Sequence, residues 1–262
     1  MSIYPSFSVA ISSLSNKLIH QSRAVNTGHW QAVPTQGHPE MVTQELMGIF
    51  FKIPLDGDTR IDHWANDCGA SIPWADEQFQ ERVCGIGMNP NPSHVRWPWW
   101  AGQDEKSKNK DGTFTHTYSE RFWPHIRCEG IRYAFGDLDS LVHLLLKYPT
   151  TRQAYLPIFF PEDTGAVHGG RVPCTLGYHF LMRDGFMHVH YPIRSCDFVR
   201  HFRNDCYLTI RLLLWILDRL REKDPDHWGH VLPGMFSMWC GSLHVFLNDI
   251  PIVKGDLRAY QP

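Results

Sequence analysis

Cys174 is the residue around which chemistry can be built. It follows Pro173 and opens the segment Thr175-Leu176-Gly177-Tyr178-His179-Phe180; twenty residues on, the chain reads Arg194-Ser195-Cys196-Asp197. A thiolate can attack an electron-poor carbon and then leave again. A guanidinium, a hydroxyl and a carboxylate within one short segment can hold a charged substrate against it, and the guanidinium fork matches phosphate oxygens. One nucleophile with an anion grip predicts covalent chemistry on a phosphorylated small molecule.

Those groups need strands to hold them. Residues 175–182 and 186–193 predict a β-hairpin, joined at Arg183-Asp184-Gly185, where Asp-Gly is the turn signal. A long helix over about 205–222 follows, with a nearly continuous apolar stretch from Leu212 to Leu217 that predicts deep burial. A last strand covers 235–246. Upstream, Phe7, Ile11, Leu14 and Leu18 recur three or four apart and predict an amphipathic helix over 6–21. A second helix is predicted from Pro39, carrying Met41, Leu46, Ile49 and Phe50, since proline suits a first helical turn. Residues 54–100 read as irregular, 103–112 as a solvated polar loop, 138–148 as a short apolar helix and 155–160 as a strand. With no repeat and no linker, residues 1–262 read as a single α+β domain.

The composition narrows the partners. Among 262 residues, 43% are hydrophobic and 20% charged, with a net charge of -2. That balance provides a core and gives no global attraction to nucleic acid. The seven cysteines are odd in number and never spaced as CxxC, which predicts reduced thiols. The sixteen histidines form no HExxH or Cys-His zinc pattern, so no metal site is predicted. With no secretory leader and no run of eighteen apolar residues, the expectation is a soluble cytoplasmic protein with no membrane partner.

Pro173-Cys174, Arg183-Asp184-Gly185, Arg194-Ser195-Cys196-Asp197, Asp205 and Gly241-Ser242-Leu243-His244-Val245-Phe246-Leu247-Asn248 together resemble the thymidylate synthase superfamily. Gln44-Glu45-Leu46-Met47 resembles the family's helix with a catalytic glutamate, and Trp97-Pro98-Trp99-Trp100-Ala101 its paired-tryptophan segment. Residues 112–122, with Tyr118, resemble the stretch leading into the next helix. Arg23 resembles the phosphate-loop arginine, and Arg152 the arginine lent to a neighbouring subunit. The likeness is dense over 150–250 and thin before it.

The resemblance implies a thymidylate synthase-like fold, a mixed sheet with a buried long helix, forming a homodimer through the sheets. It implies 5,10-methylenetetrahydrofolate as one-carbon donor and a pyrimidine nucleotide 5′-monophosphate as acceptor. Cys174 would add to C6 of the base and make C5 nucleophilic, with Arg194 favouring the thiolate. Arg23, Arg194, Ser195 and, across the dimer, Arg152 would bind the phosphate. Glu45 would manage protons and an ordered water. His244 would bond the sugar, Asp197 would face the pterin, and Trp97 and Trp100 would wall the pocket.

Three departures bear on the substrate. The family's uracil-reading asparagine stands eleven residues after the RSxD arginine, and that count from Arg194 reaches Asp205. An ionised aspartate only accepts hydrogen bonds, so it would repel uracil O4 and accept from the cytosine amino group. An alignment one residue shorter would put Asn204 there, and uracil with it. The histidine after the nucleophile is Thr175, and a tyrosine near the sugar is Phe246, which leaves ribose and deoxyribose open. The first two changes resemble the cytidylate hydroxymethylase branch. The expectation is 5-hydroxymethylation of a cytosine nucleotide, with Asp205 and Glu45 positioning the water. The alternatives are a CMP-preferring hydroxymethylase of a nucleoside-antibiotic pathway, a thymidylate synthase methylating dUMP, or a noncatalytic nucleotide- or RNA-binding relative. The tail, 257–262, also departs from the usual synthase terminus.

Overall fold

The long segment Phe202–Lys223 has leucine, isoleucine and aromatic side chains on most of its circumference, and it forms a 22-residue helix buried from Phe202 to Leu220. Arg221 and Lys223 close its last turn, where cations complement the carbonyl end of a helix. It packs on one face of a mixed sheet, against Val189, Tyr191 and Ile193 of one strand and Phe236 and Met238 of another. Burying a leucine such as Leu213 or Leu217 contributes roughly 2 kcal/mol each. The computed structural model describes residues 1–30, 33–35, 37–99, 108–124, 136–164 and 171–255. Trp100, residues 103–107 of the polar loop, Cys128 and the tail at 257–262 lie outside the described residues.

In chain order the strands are β1 (Ser2–Ile3), β2 (Arg23–Val25), β3 (His29–Trp30), β4 (Val33–Pro34), β5 (Thr43–Pro54), β6 (Tyr155–Pro157), β7 (Gly177–Arg183), β8 (Phe186–Asp197) and β9 (Leu232–Phe246). The helices are α1 (Phe7–His20), α2 (Ile61–Cys68), α3 (Trp74–Val83), α4 (Tyr118–Phe122), α5 (Leu138–Lys147), α6 (Phe202–Lys223), α7 (Pro225–Trp228) and α8 (Ile250–Val253). The main sheet runs β1-β5-β9-β8-β7-β6, with β2 also on β5 and β3–β4 forming a separate pair. β8 and β9 are parallel, β1 is parallel to β5, and the other pairs are antiparallel. The fold is α+β with a mixed sheet, as the sequence predicts. The Asp184-Gly185 turn has φ of 52° and 77°, the left-handed pair that a tight hairpin needs.

A kink crosses three strands in line. Arg194, Gly241 and Gly48 occupy one row, and a Cβ on Gly241 would meet the Arg194 carbonyl oxygen at 2.7 Å. Gly48 has φ of 64°, which a side chain would strain. The buried face changes parity at this row. β9 buries Phe236, Met238 and Cys240 before it and Leu243 and Val245 after; β5 buries Leu46 on one side and Phe51 and Ile53 on the other.

That flip explains the main correction. The helix predicted from Pro39 is a single 3-10 turn, Pro39–Met41, followed by the strand β5, and Glu45 therefore sits on a strand. The change of face at Gly48 breaks the two-residue alternation, so the apolar spacing imitates a helix. Residues 54–100 are likewise not irregular throughout, since they hold α2 and α3. The inward face of α3 carries Gln78 and Arg82 beside Ala75 and Phe79, so no apolar stripe marks it. The predicted strand at 155–160 ends at Pro157, β8 runs on to Asp197, and α6 starts three residues early, which puts Asp205 in its first turn.

Candidate active site

The backbone of Cys174 is tied to that of Arg194 before any side chain acts. Thr175 bridges Ile193, Leu176 N donates to Pro192 O at 3.0 Å, and Arg194 N donates to Cys174 O at 2.9 Å. The Arg194 guanidinium returns to the same loop, with Nε donating to Pro173 O at 2.8 Å and a terminal nitrogen to Val172 O at 2.9 Å. Cys174 is half-buried. Burial pushes its thiol above the ordinary range, and the charge of Arg194, then Asp205 in the opposite sense, acts on it next.

Thr175 is 1% exposed and lies beneath the site rather than at its surface. Its hydroxyl joins Tyr118 Oη at 3.1 Å and Tyr191 Oη at 2.9 Å, a buried three-hydroxyl chain beside Cys174. Burial raises Tyr118, and it raises Tyr178 to about 12, so both phenols stay protonated at neutral pH. The Arg82 guanidinium lies over the Tyr118 ring, 4.3 Å from its centre.

Asp205 and Asn204 part company at the start of α6. Asn204 is buried and turned to the α2–α3 connection, accepting from Ser71 N at 2.8 Å and donating to Ser71 Oγ at 3.3 Å. Asp205 faces the other way. Its Oδ2 accepts from the Cys196 thiol at 3.7 Å, and its charge acts on Cys174, Tyr118, Tyr178 and Tyr191. Burial lifts its carboxyl to about 7, with Arg82 the foremost group holding it down.

A second set lies in one row across four strands: Arg23 on β2, Glu45 on β5, His244 on β9 and Asp197 on β8. Residues paired in register present side chains to the same face. Ser242 and Ser195 form the adjacent pair on that face, and the Ser242 hydroxyl donates to Glu45 Oε1. Burial keeps His244 below the ordinary imidazole range. Asp197 is already engaged. It accepts from Val199 N and Arg200 N at 3.0 Å, and Arg200 bridges it at 2.8 Å to Asp249 at 2.5 Å. Arg200 also faces Phe246, 4.8 Å from its ring centre.

Trp97 stacks on His201, ring centres 4.8 Å apart and planes 13° from parallel. His201 precedes α6, and burial takes its ring down to about 4, so the stack is neutral. Trp97 Nε1 is buried with no partner among the described residues. Trp100 lies outside them. Arg152 stands apart, exposed in the turn before β6 on the opposite sheet edge from β5, its carbonyl accepting from His179 Nε2 at 3.0 Å. The sequence reading did not single out Arg82, His201 or Arg200. Arg82 and Gln78, four apart on α3, were its one available signal. Among the described residues no cluster suits a metal ion, and no helix is long and apolar enough to cross a membrane.

No protein-family model matches the chain. Two curated proteins named "Putative thymidylate synthase" do: one from Methanosarcina barkeri is 25% identical over 149 residues, 56% of this chain and 59% of its own. The other, from Methanosarcina acetivorans, is 25% identical over 146 residues, with the same shares of each chain. The match thus spans about three-fifths of the relatives' length. Among solved structures, the thermostable thymidylate synthase A from Bacillus subtilis superposes with a TM-score of 0.67 at 14% identity, covering 98% of this chain and 84% of that one. The fold is that of thymidylate synthase.

Proposed function

From membership of the thymidylate synthase superfamily, which the fold and the two partial matches support, we propose that this chain transfers a one-carbon unit to C5 of a cytosine nucleotide 5′-monophosphate and hydrates it to the hydroxymethyl product. One observation carries the choice of base: the Asp205 carboxyl accepts from the Cys196 thiol on β8, beside Ser195 and Asp197, while Asn204 is held away by Ser71. An ionised carboxylate accepts from an exocyclic amino group and repels a carbonyl oxygen.

The residues act in sequence. Cys174 adds as thiolate to C6 of the base, leaving C5 as an enamine-type carbon that takes up the one-carbon unit. C5 then loses its proton as the bond from the new carbon to the donor's nitrogen breaks; the donor would leave as tetrahydrofolate, and the base carries an exocyclic methylene. Water adds to that methylene, with Asp205 and Glu45 as the carboxylates that orient it and take its proton. β-Elimination restores the C5–C6 double bond and frees Cys174. Arg23, Arg194 and Ser195, with Arg152 of a second copy, bind the phosphate, and His244 the sugar. Glu45 reaches this role from a strand, in register with Arg23 and His244.

5,10-Methylenetetrahydrofolate would supply the carbon at the oxidation level of formaldehyde. The neutral Trp97–His201 stack and the unpartnered Trp97 Nε1 fit a planar heterocycle with acceptor atoms. Trp97 and Trp100 would wall it and Asp197 would face it, directly or through Arg200. Homodimerisation would cover the uncovered sheet face, where Trp239 is 43% exposed, and would bring Arg152 to the other copy's phosphate.

A second reading, methylation of dUMP, is favoured by the relatives' names and by the carboxyl of Asp205, lifted to about 7. Once protonated, that group donates and accepts as an amide does. Incubation with dCMP, CMP or dUMP and methylenetetrahydrofolate, followed by mass analysis, separates the readings. Gain of a hydroxymethyl group on a cytosine nucleotide is expected; gain of a methyl group on dUMP alone would defeat the first reading. The ratio of kcat/KM for CMP and dCMP fixes the sugar. Binding of nucleotide without turnover would leave a noncatalytic relative.

A further inference from the structure

The carboxylate expected to face the one-carbon donor is held from within. Asp197 ends β8, and its side chain is 8% exposed. Oδ1 accepts from Val199 N and Arg200 N, both at 3.0 Å, an Asx-type turn that leads the chain into α6. Oδ2 accepts from a terminal nitrogen of Arg200 at 2.8 Å, and the same nitrogen pairs with buried Asp249 at 2.5 Å. The guanidinium between the two carboxylates is 26% exposed, the most open member of the three. Its Nε and second terminal nitrogen make no hydrogen bond or ion pair to a described residue. All three guanidinium nitrogens carry N–H donors, so donors are left over in a pocket of rings. Arg200 lies 4.8 Å from the centre of Phe246 and 5.4 Å from that of Trp99. The next residue, His201, stacks on Trp97, and Phe246 packs edge-on against His244 with centres 6.0 Å apart. Arg200 thus stands between the residues proposed for the donor and the one proposed for the sugar.

We propose that Arg200 is a specificity-determining residue for the one-carbon donor: its guanidinium, fixed by Asp197 and Asp249, donates to a carbonyl oxygen on the donor's heterocycle. The inference rests on the folate reading of this pocket and deepens it. Asp197 and Asp249 act as positioning residues, because two carboxylates on one terminal nitrogen set the direction of the fork. The group selected follows from the chemistry of the fork. A set of N–H donors takes an oxygen acceptor, whereas an amino group in the same place brings donor against donor. Were Asp197 itself to read the heterocycle, the preference would run the other way, since a carboxylate accepts from an amino group.

The test uses two probes that differ at one ring position, folic acid with a 4-oxo group and aminopterin with a 4-amino group. Their dissociation constants are measured by calorimetry at pH 7 on the full-length chain, saturated with whichever of dCMP and dUMP it binds. Wild type is expected to bind folic acid about 10-fold more tightly than aminopterin. In Arg200→Met that ratio should fall by about 10-fold or more, because Asp197, released from the guanidinium, then accepts from the amino group. Arg200→Lys keeps the charge but not the fork and should recover only part of the ratio. Equal losses of both probes in Arg200→Met, with the ratio unchanged, would make Arg200 a clamp alone and overturn the proposal while leaving the folate reading in place. A wild type that prefers aminopterin would also overturn it, and the wild-type preference decides the matter should Arg200→Met not fold. Binding of neither probe by a wild type that binds nucleotide would sink the folate reading itself, and the proposal with it.

Discussion

Arg194 and Cys174 are joined through the main chain: the Arg194 N–H donates to the Cys174 carbonyl at 2.9 Å, and the guanidinium holds the two carbonyls before the cysteine. Cys174 and Arg194 thus form one structural unit, and a change in either is expected to disturb both.

Arg194→Gln should therefore lower thiol reactivity as well as phosphate affinity. Burial raises Cys174, and Arg194 is the first group that pulls it back. Alkylation of Cys174 at pH 7 is expected to slow by about 3- to 10-fold, with the rate profile displaced to higher pH. Loss of the two side-chain bonds should cost about 1–2 kcal/mol in stability. An unchanged alkylation profile would show that the charge does not reach the thiol.

Asp205 should destabilise the ligand-free protein above neutrality. Its folded carboxyl titrates at about 7 against about 3.9 in an unfolded chain. Between those values the unfolded state has released a proton that the folded state retains, so stability falls as pH rises from about 4 to about 7 and stays lower beyond. Asp205→Asn is expected to exceed wild type at pH 8 by about 1–3 kcal/mol and to lose that advantage near pH 4. Denaturant unfolding at the two pH values checks the sign.

Asn204→Ala should leave the choice of base alone. It breaks the bonds to Ser71 and is expected to cost about 1–3 kcal/mol, without changing the ratio of kcat/KM for dCMP and dUMP. A variant that loses discrimination would transfer the reading role from Asp205 to Asn204.

Gly241→Ala places a methyl group 2.7 Å from the Arg194 carbonyl oxygen, where backbone rather than a flexible side chain must yield. A loss of about 2–3 kcal/mol is expected, with weakened nucleotide binding because β8 shifts with Arg194. Calorimetry on the variant, alone and with nucleotide, measures both.

The second half of the chain was largely legible because its signals are local. Asp184-Gly185 fixes the hairpin, and the apolar stretch Leu212 to Leu217 marks the buried helix. The first half hid two things. The parity change at Gly48 made a strand look helical, and placed Glu45 in a row with Arg23 and His244 that only strand pairing reveals. The inward face of α3 is polar at Gln78 and Arg82, so a buried helix left no apolar stripe, and its arginine passed unnoticed. Asn204 and Asp205 could be told apart only by the direction in which α6 points each of them.

The central claim is that an ionised Asp205 selects cytosine. The most direct test is kcat/KM for dCMP and dUMP at pH 8, in wild type and in Asp205→Asn, with products weighed. The account predicts that wild type hydroxymethylates dCMP with a preference of about 100-fold or more over dUMP, and that Asp205→Asn reverses it. A wild-type enzyme that methylates dUMP and leaves dCMP untouched at that pH would contradict the account.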